Sequence, residues 1–284
     1  MDIERFKLAR RNSVERAFLD TCISGKKKVY DDEKVASPLA LVTGASSGIG
    51  RAYAEKLAES GYRLILVSKD PLRLEAAVSA IGDQVIQSHA VDLAQPESVR
   101  RLLDMLPKLE VIIANAGITQ VTPLGATETP ERQKLYYLLC GGVIDLLEDQ
   151  IPRMRASKRG RVVIMSSIAA RTPMPKSSLY ASAKTAVASY GSSIAQEVKR
   201  DGVQVTTCLP GYIRTEAHTR AGLQHLHRNI PDWMWLSPEQ VVEECEKASL
   251  SGKATLIPGK VYKTVRPFLG SRLANDIWRS LTRR

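Results

Sequence analysis

From Leu39 onward, short apolar runs rich in Val, Ile and Leu alternate with longer amphipathic stretches, and this alternation limits the folds available to the chain. The apolar runs are Leu39–Val42, Leu64–Val67, Val85–Ala90, Val111–Ala114, Val162–Met165, Val203–Cys208 and a weaker Ala254–Ile257. The helix-like stretches include Arg51–Ser60, Pro71–Ile81, Glu97–Leu106, Glu131–Met154 and Leu179–Arg200. Strands that are apolar throughout and separated by helices form a parallel sheet covered on both faces. We therefore predict a doubly wound α/β domain whose ligands bind beyond the carboxyl ends of its strands.

Composition divides the chain into an extension and one domain. Residues 1–37 are polar and charged and end at a Ser-Pro break, so we expect an N-terminal extension followed by a single domain over residues 38–284. The N-terminus lacks the apolar core of a signal peptide, and no apolar run approaches the roughly 20 residues of a membrane span. The four cysteines form no Cys-x-x-Cys pair. We therefore expect no metal site, no disulfide framework and a cytoplasmic location.

The chain is strongly basic, with 41 Lys and Arg against 30 Asp and Glu and a net charge of +11. This excess makes phosphate-bearing ligands, nucleic acid and anionic membranes candidate partners. Much of it lies in residues 250–284, which hold eight basic residues against Asp276 alone, a net charge of +7. Apolar residues recur there near helical spacing, so this basic segment either contacts an anionic membrane peripherally or docks as a helix on protein. With no supporting motif, we expect no nucleic-acid partner.

A glycine-rich turn follows the first apolar run directly and opens the first helix. It reads Thr43-Gly44-Ala45-Ser46-Ser47-Gly48-Ile49-Gly50, a Gly-x3-Gly-x-Gly spacing. Such a turn lets a phosphate approach the backbone closely and aims a helix N-terminus at the anion. A tight turn without a ligand is the alternative. We assign binding of a dinucleotide cofactor to Gly44, Ser46, Ser47, Gly48, Ile49 and Gly50.

Four further motifs follow in order along the chain. They are Asn115-Ala116-Gly117 after the fourth run, Ser167 thirteen positions before Tyr180, the Tyr180-x3-Lys184 pair, and Pro210-Gly211 with Thr215. Together with the glycine-rich turn, they make the chain resemble the short-chain dehydrogenase/reductase family. The resemblance implies a Rossmann-type fold, a nicotinamide cofactor, a carbonyl or alcohol substrate, and a homodimer or homotetramer. It also implies that Asn115, Ala116, Gly117, Pro210, Gly211, Ile213 and Thr215 line the cofactor site.

The residue types at 167, 180 and 184 suit proton transfer to a carbonyl oxygen. Tyr180 and Lys184 lie four apart on a predicted helix and therefore share one face. A phenol has a pKa near ~10, and a neighbouring ammonium lowers it toward the working range. We predict Tyr180 as the acid-base group and Ser167 as the residue that orients the substrate oxygen. Lys184 is predicted to modulate the pKa of Tyr180 and to hold the nicotinamide ribose.

The end of the second run predicts the cofactor. A site that prefers NAD places a carboxylate near Ser68, but the chain has a serine there and a base at Lys69. We predict that Ser68 and Lys69 bind the adenosine ribose and its 2′-phosphate, which favours NADP(H) over NAD(H). Asp70 is a competing signal for NAD, and Lys69 as a solvated turn residue is the alternative. Asp92 and Leu93 resemble the family segment beside the adenine, although Asp92 could equally cap the strand end.

The chain departs from the family pattern in one helix. Many members place there an asparagine that helps to hold a water of the proton relay, and it falls near Leu139 or Cys140. No asparagine occurs between Glu131 and Gln150. Either a backbone carbonyl and water serve in its place, or the chain is a catalytically weak NADP-binding regulatory or scaffold protein. For Cys140, the sequence leaves open a redox thiol or a buried helix cysteine.

The segment after Thr215 contains Trp233, Met234 and Trp235 in succession. In the family this segment folds over the substrate, so these side chains indicate an apolar or bulky carbonyl substrate. They could equally pack against the body of the domain.

Overall fold

In the computed structural model of the protein, residues 37–216 and 230–265 are described. The predictions made for the N-terminal extension and for the basic segment beyond Val265 lie outside these residues. Among the described helices, none combines the length and the apolar character needed to cross a bilayer.

A parallel sheet forms the centre of the described domain. Its strands are β1 (Leu39–Thr43), β2 (Arg63–Ser68), β3 (Val85–Ala90), β4 (Val111–Ala114), β5 (Gly160–Met165), β6 (Val203–Cys208) and β9 (Thr255–Leu256). They are arranged in the order β3-β2-β1-β4-β5-β6-β9, and the direction of winding reverses between β1 and β4. A second pair, β7 (Tyr212–Ile213) and β8 (Trp235–Leu236), is also parallel. The predicted doubly wound Rossmann-type fold is confirmed.

Helices cover both faces of this sheet. They are α1 (Gly48–Glu59), α2 (Pro71–Ile81), α3 (Pro96–Met105), α4 (Thr129–Tyr136), α5 (Gly142–Ala156), α6 (Ser178–Glu197), α7 (Pro238–Leu250) and α8 (Lys260–Val265). Neighbouring strand residues point to opposite faces, so Leu41 packs with α3, α5 and α6 and Val42 packs with α1, α2 and α7. The strands β1, β4 and β5 are buried throughout because each face contributes its own apolar core, whereas the edge strand β3 is only partly buried.

The stretch Glu131–Met154, predicted to be helix-like, is helical throughout but contains one wider turn. A π-helical turn over Tyr137–Gly141 separates α4 from α5. The ring of Tyr137 fills space that side chains would need: a Cβ on Gly141 would lie 2.8 Å from the ring and one on Gly142 would lie 3.3 Å from it. Two successive glycines therefore accommodate the wider turn, a feature often found at functional sites.

The aromatic cluster after Thr215 is split between core and surface. Met234 and Trp235 are buried, and the Trp235 ring lies 5.5 Å from the ring of Tyr212. Trp233 is 61% exposed. The packing interpretation thus holds for Met234 and Trp235, and only Trp233 of the three presents an open aromatic surface.

Candidate active site

Thr43 and Asn115 join the turns that follow β1 and β4. Thr43 Oγ1 accepts hydrogen bonds from the amides of Asn115 and Ala116, each at 3.0 Å. The Asn115 side-chain amide donates in return to the Thr43 carbonyl at 3.0 Å. The glycine-rich turn is therefore fixed at the point where the sheet reverses its winding, the usual place for a ligand in this architecture. Thr43 was not among the predicted site residues.

The glycines of this turn leave a cradle beside the start of α1. Gly44 has φ +67 and Gly48 has φ +54, a region that favours glycine. A Cβ on Gly44 would lie 2.9 Å from Ala116 Cα, and one on Gly48 would lie 3.0 Å from the methyl group of Thr215. A Cβ on Gly50 would overlap the Gly44 carbonyl. Since backbone amides and a helix N-terminus converge here, the cradle suits a phosphate-bearing dinucleotide.

Four predicted cofactor residues form two pairs at the ends of β2 and β3. Ser46 Oγ and Ser68 Oγ lie 2.6 Å apart, which joins the glycine-rich turn to β2. Lys69 Nζ lies 2.9 Å from Asp92 Oδ2, although the Lys69 side chain is 76% exposed. Burial opposes ionisation of Asp92, but hydrogen bonds from Lys69 and the Ala94 amide outweigh it, and its pKa is lowered. Asp92 thus caps the strand end and also pairs with the predicted phosphate-binding lysine.

Asp70, the competing signal for NAD, caps a helix. Its carboxylate accepts from the Arg73 amide at 3.1 Å at the start of α2. Arg73 extends further to Glu216, with 3.1 Å between Nη1 and Oε2, and so links α2 to the residue after Thr215. The sequence analysis missed this link, because the two residues lie far apart in the chain.

The predicted catalytic residues occupy adjoining ends of β5 and α6. Ser167 follows β5, and its hydroxyl accepts from the Ala169 amide at 3.1 Å. The end of β5 is tied to α6 by two bonds, from Ser166 Oγ to the Lys184 carbonyl and from Lys184 Nζ to the Met165 carbonyl, each 2.7 Å. Tyr180 lies one turn before Lys184 and is half-buried. The structure therefore brings Ser167, Tyr180 and Lys184 to one edge of the sheet.

Burial strongly affects the Lys184 ammonium. The residue is 6% exposed, and burial lowers its pKa to about 8, an effect that the nearby Cys140 thiol opposes. Burial raises the pKa of the Cys140 thiol, with Lys184 acting in the opposite direction. A Cβ on Gly117 would lie 3.6 Å from Lys184 Nζ and 3.0 Å from the Leu139 side chain. The π-helical turn thus places Leu139 and Cys140 beside Lys184, where the resemblance predicted an asparagine.

The stretch Pro210–Thr215 is held over the site by Tyr262 of α8. The Tyr262 hydroxyl donates to the Met234 carbonyl at 2.7 Å and accepts from the Tyr212 amide at 3.0 Å. Gly211 lies against the Tyr262 ring, which would overlap any Cβ at that position.

The same stretch is also bonded to the segment after β5. The Pro210 carbonyl accepts from the Ile168 amide at 2.9 Å, next to Ser167. Ile213 is buried, in keeping with a supporting role. Gly211 was the only sequence signal for the contact between this stretch and Tyr262.

Comparison with known proteins adds to this geometry. The family model described as short chain dehydrogenase matches residues 38–225. The chain belongs to the short chain dehydrogenase family. It is therefore an oxidoreductase acting on CH–OH and C=O groups, and the family uses nicotinamide cofactors.

This short chain dehydrogenase is similar to several characterised proteins. It is 28% identical to a 3-oxoacyl-(acyl-carrier-protein) reductase of Synechocystis sp. over 80% of this chain and 95% of that protein. It is 29% identical to a very-long-chain 3-oxoacyl-CoA reductase of Phaeosphaeria nodorum over 64% of this chain and 56% of that protein. A short-chain dehydrogenase from Sphingobium yanoikuyae, solved in complex with NADPH, superposes with a TM-score of 0.73 at 27% identity, covering 85% and 93% of the two chains.

A cavity of about 230 Å³ opens beside Tyr180 in this short chain dehydrogenase. Its walls are the loop after β4 and the start of α6, which are joined by a hydrogen bond from the Thr122 amide to the Lys176 carbonyl at 2.6 Å. Leu135 and Leu179 supply apolar surface. Within residues 37–216 and 230–265, no group of three or more His, Cys, Asp or Glu side chains is arranged to hold a metal ion.

Proposed function

We propose that this short chain dehydrogenase interconverts a ketone or aldehyde and the corresponding alcohol, with NADP(H) as its cofactor and Tyr180 as the acid-base group. The observation that carries the proposal is the pair of bonds between the end of β5 and Lys184, because they hold Ser167, Tyr180 and Lys184 at one edge. The glycine cradle lies at the same edge, next to Gly117 and Lys184.

Each of the three side chains has a separate task in carbonyl reduction. Tyr180 delivers a proton to the carbonyl oxygen, or accepts one from the alcohol in the reverse direction. The Lys184 ammonium favours the phenolate and keeps the pKa of the proton donor within reach. Ser167 Oγ donates a hydrogen bond to the same substrate oxygen and so orients the carbonyl. The bound nicotinamide cofactor supplies or accepts the hydride.

Three observations support a preference for NADP(H). The β2 end has a serine at position 68, where an acid would accept bonds from the ribose of NAD. Asp70 is engaged as the cap of α2. Lys69 is exposed and sits beside Asp92, within reach of a ligand in the cradle region. The similarity to the Sphingobium protein, which was solved with NADPH, agrees with this preference.

For the substrate, we propose a carbonyl compound with a bulky or apolar part. Leu124, Leu135 and Leu179 line the cavity beside Tyr180, and two of the similar proteins named above, from Synechocystis and Phaeosphaeria, are reductases of 3-oxoacyl compounds. We further propose a cytoplasmic location and a homodimer or homotetramer, and light scattering on the purified chain would test the oligomeric state. The peripheral membrane contact predicted for the basic segment involves residues that lie mostly beyond those described.

A panel of ketones and aldehydes assayed with NADPH and NADH side by side tests the activity and the cofactor together. Tyr180→Phe should lower kcat by about 10²-fold or more, because general acid-base catalysis contributes on that scale. The matched control is Tyr190→Phe on the same helix, whose hydroxyl bonds Glu148 at the surface, and it should leave kcat unchanged. Undiminished turnover by Tyr180→Phe would contradict the assigned role. NADPH binding without turnover of any member would instead support the weakly catalytic scaffold.

A further inference from the structure

The cavity beside Tyr180 carries charge that catalysis does not use. Arg132 of α4 and Lys176 before α6 both line it, and none of its lining residues is an Asp or Glu. Neither side chain has an acidic partner within 4 Å in the part of the chain that the structure describes. Two cations that line one small cavity favour an anion inside it, because both attract the same negative charge.

Arg132 is held in position for such a ligand. Its Nη1 donates to the Thr127 carbonyl at 2.6 Å and its Nη2 donates to Thr129 Oγ1 at 2.7 Å. A guanidinium has five donors, so these two bonds fix its plane and leave others for a ligand. A planar fork of this kind matches a carboxylate.

The backbone of Lys176 is fixed in the cavity wall that precedes α6. Its backbone has φ +60, a conformation that is uncommon for residues other than glycine, and its carbonyl accepts the bond from Thr122. This bond closes the two loops around the cavity. The charged side chains therefore stand on walls that are already joined before a ligand enters.

We infer that this cavity binds a carboxylate of the substrate, so that the preferred substrates are oxo acids or hydroxy acids whose reacting carbon reaches Tyr180. The inference rests on the proposed function, because it names the substrate class of the same site. Tyr180 lines the cavity together with Arg132 and Lys176, and Leu135 and Leu179 form apolar surface in the same walls. A carboxylate separated from the carbonyl by a short apolar chain satisfies both kinds of surface.

The test compares 5-oxohexanoate with its methyl ester, two substrates that share the ketone and differ in charge. With NADPH, we expect the wild-type chain to show a kcat/KM for the acid about tenfold or more above that for the ester, which corresponds to roughly 1.4 kcal/mol. Arg132→Gln and Lys176→Gln should each raise KM for the acid by a similar factor and change the ester by less than about twofold. Lys108→Gln removes a positive charge outside the cavity and should change neither substrate.

The outcomes separate this inference from the proposed function. The carboxylate site is overturned if the ester is turned over as efficiently as the acid, or if Arg132→Gln and Lys176→Gln leave KM for the acid unchanged. Either result leaves the reductase function standing. If neither substrate is turned over, the reductase function fails for them, and calorimetric binding of 5-oxohexanoate to the chain with NADPH decides the site. Binding that Lys176→Gln weakens supports the site, and absence of binding overturns it. Lys176→Gln also covers the case in which Arg132→Gln fails to fold.

Discussion

Lys69 Nζ lies 2.9 Å from Asp92 Oδ2, which pairs the residue after β2 with a residue just beyond β3. Both had been predicted from the sequence as cofactor residues of neighbouring strands. With Lys69 largely exposed, the ion pair contributes little to stability, since solvent screens such contacts. Lys69 can therefore exchange the carboxylate for a phosphate at small cost.

We expect Lys69→Gln to remove the preference for NADPH. Loss of one charged contact to the 2′-phosphate should raise KM for NADPH about tenfold, roughly 1.4 kcal/mol, and leave KM for NADH nearly unchanged. Lys56→Gln, a surface substitution on α1, is the matched control for the lost charge. Steady-state kinetics with both cofactors give the ratio of KM for NADPH to KM for NADH. An unchanged ratio would show that Lys69 is a solvated turn residue.

Thr43→Val should weaken both the fold and the cofactor site. The substitution keeps the shape of the side chain but leaves the Asn115 and Ala116 amides without their acceptor. An unsatisfied buried group costs about 1 to 3 kcal/mol, so we expect the free energy of unfolding to fall by about 2 kcal/mol or more. Urea denaturation measures the change, and NADPH titration should show weaker binding.

Thr43→Ser is the conservative control, since it retains the hydroxyl oxygen and should recover most of the lost stability. Wild-type stability in Thr43→Val would mean that the two amides find another partner, and that Thr43 does not fix the turn.

Most strands could be predicted from the sequence because their residues are apolar and buried, although the edge strand β3 contains Gln87, Ser88 and His89 and is only partly buried. Val85–Ala90, Val111–Ala114 and Val203–Cys208 begin and end where the apolar runs do, and the other strands of the main sheet differ by one or two residues at an end. That Asn115 belongs to the cofactor site was implied by the family resemblance alone, on the Asn115-Ala116-Gly117 motif.

The contacts that hold the site could not be predicted. The π-helical turn at Tyr137–Gly141 replaces the usual i→i+4 backbone bonds by i→i+5 bonds, a change that the pattern of apolar residues in this stretch does not reveal. Thr43 and Asn115 are 72 positions apart, and Tyr212 and Tyr262 are 50 apart, so nothing local in the chain indicates either pairing. Such pairings are decided by tertiary packing.

Tyr262→Phe should loosen the stretch that closes over the site. It removes the bond to the Met234 carbonyl and the acceptor of the Tyr212 amide while keeping the ring against Gly211. We expect a loss of about 1 to 3 kcal/mol in the free energy of unfolding and a higher KM for NADPH. Thr264→Ala, an exposed position on the same helix, should change neither quantity. Equal effects of the two variants would remove the case for Tyr262 as a positioning residue.

Lys184 should give the cofactor-free chain a distinctive dependence of stability on pH. Burial lowers its folded-state pKa to about 8, below the ordinary value of 10.5. Below pH 8 both states are protonated, and the full cost of burying the ammonium is present. Between pH 8 and 10.5 the unfolded state binds more protons, so the contribution of Lys184 to stability rises with pH, by at most about 1.4 kcal/mol per pH unit.

Urea denaturation of the wild-type chain and of Lys184→Met at pH 7.5 and pH 9.5 isolates this contribution, because other titrating groups largely cancel in the difference. The free energy of unfolding of the wild type relative to Lys184→Met should increase between the two pH values. Repeating the comparison in a Cys140→Ala background removes the thiol that interacts with Lys184, and the increase should remain. A flat or falling difference would mean that the ammonium is not held in a buried site. It would also remove the physical basis for a lowered Lys184 pKa of about 8 beside Tyr180.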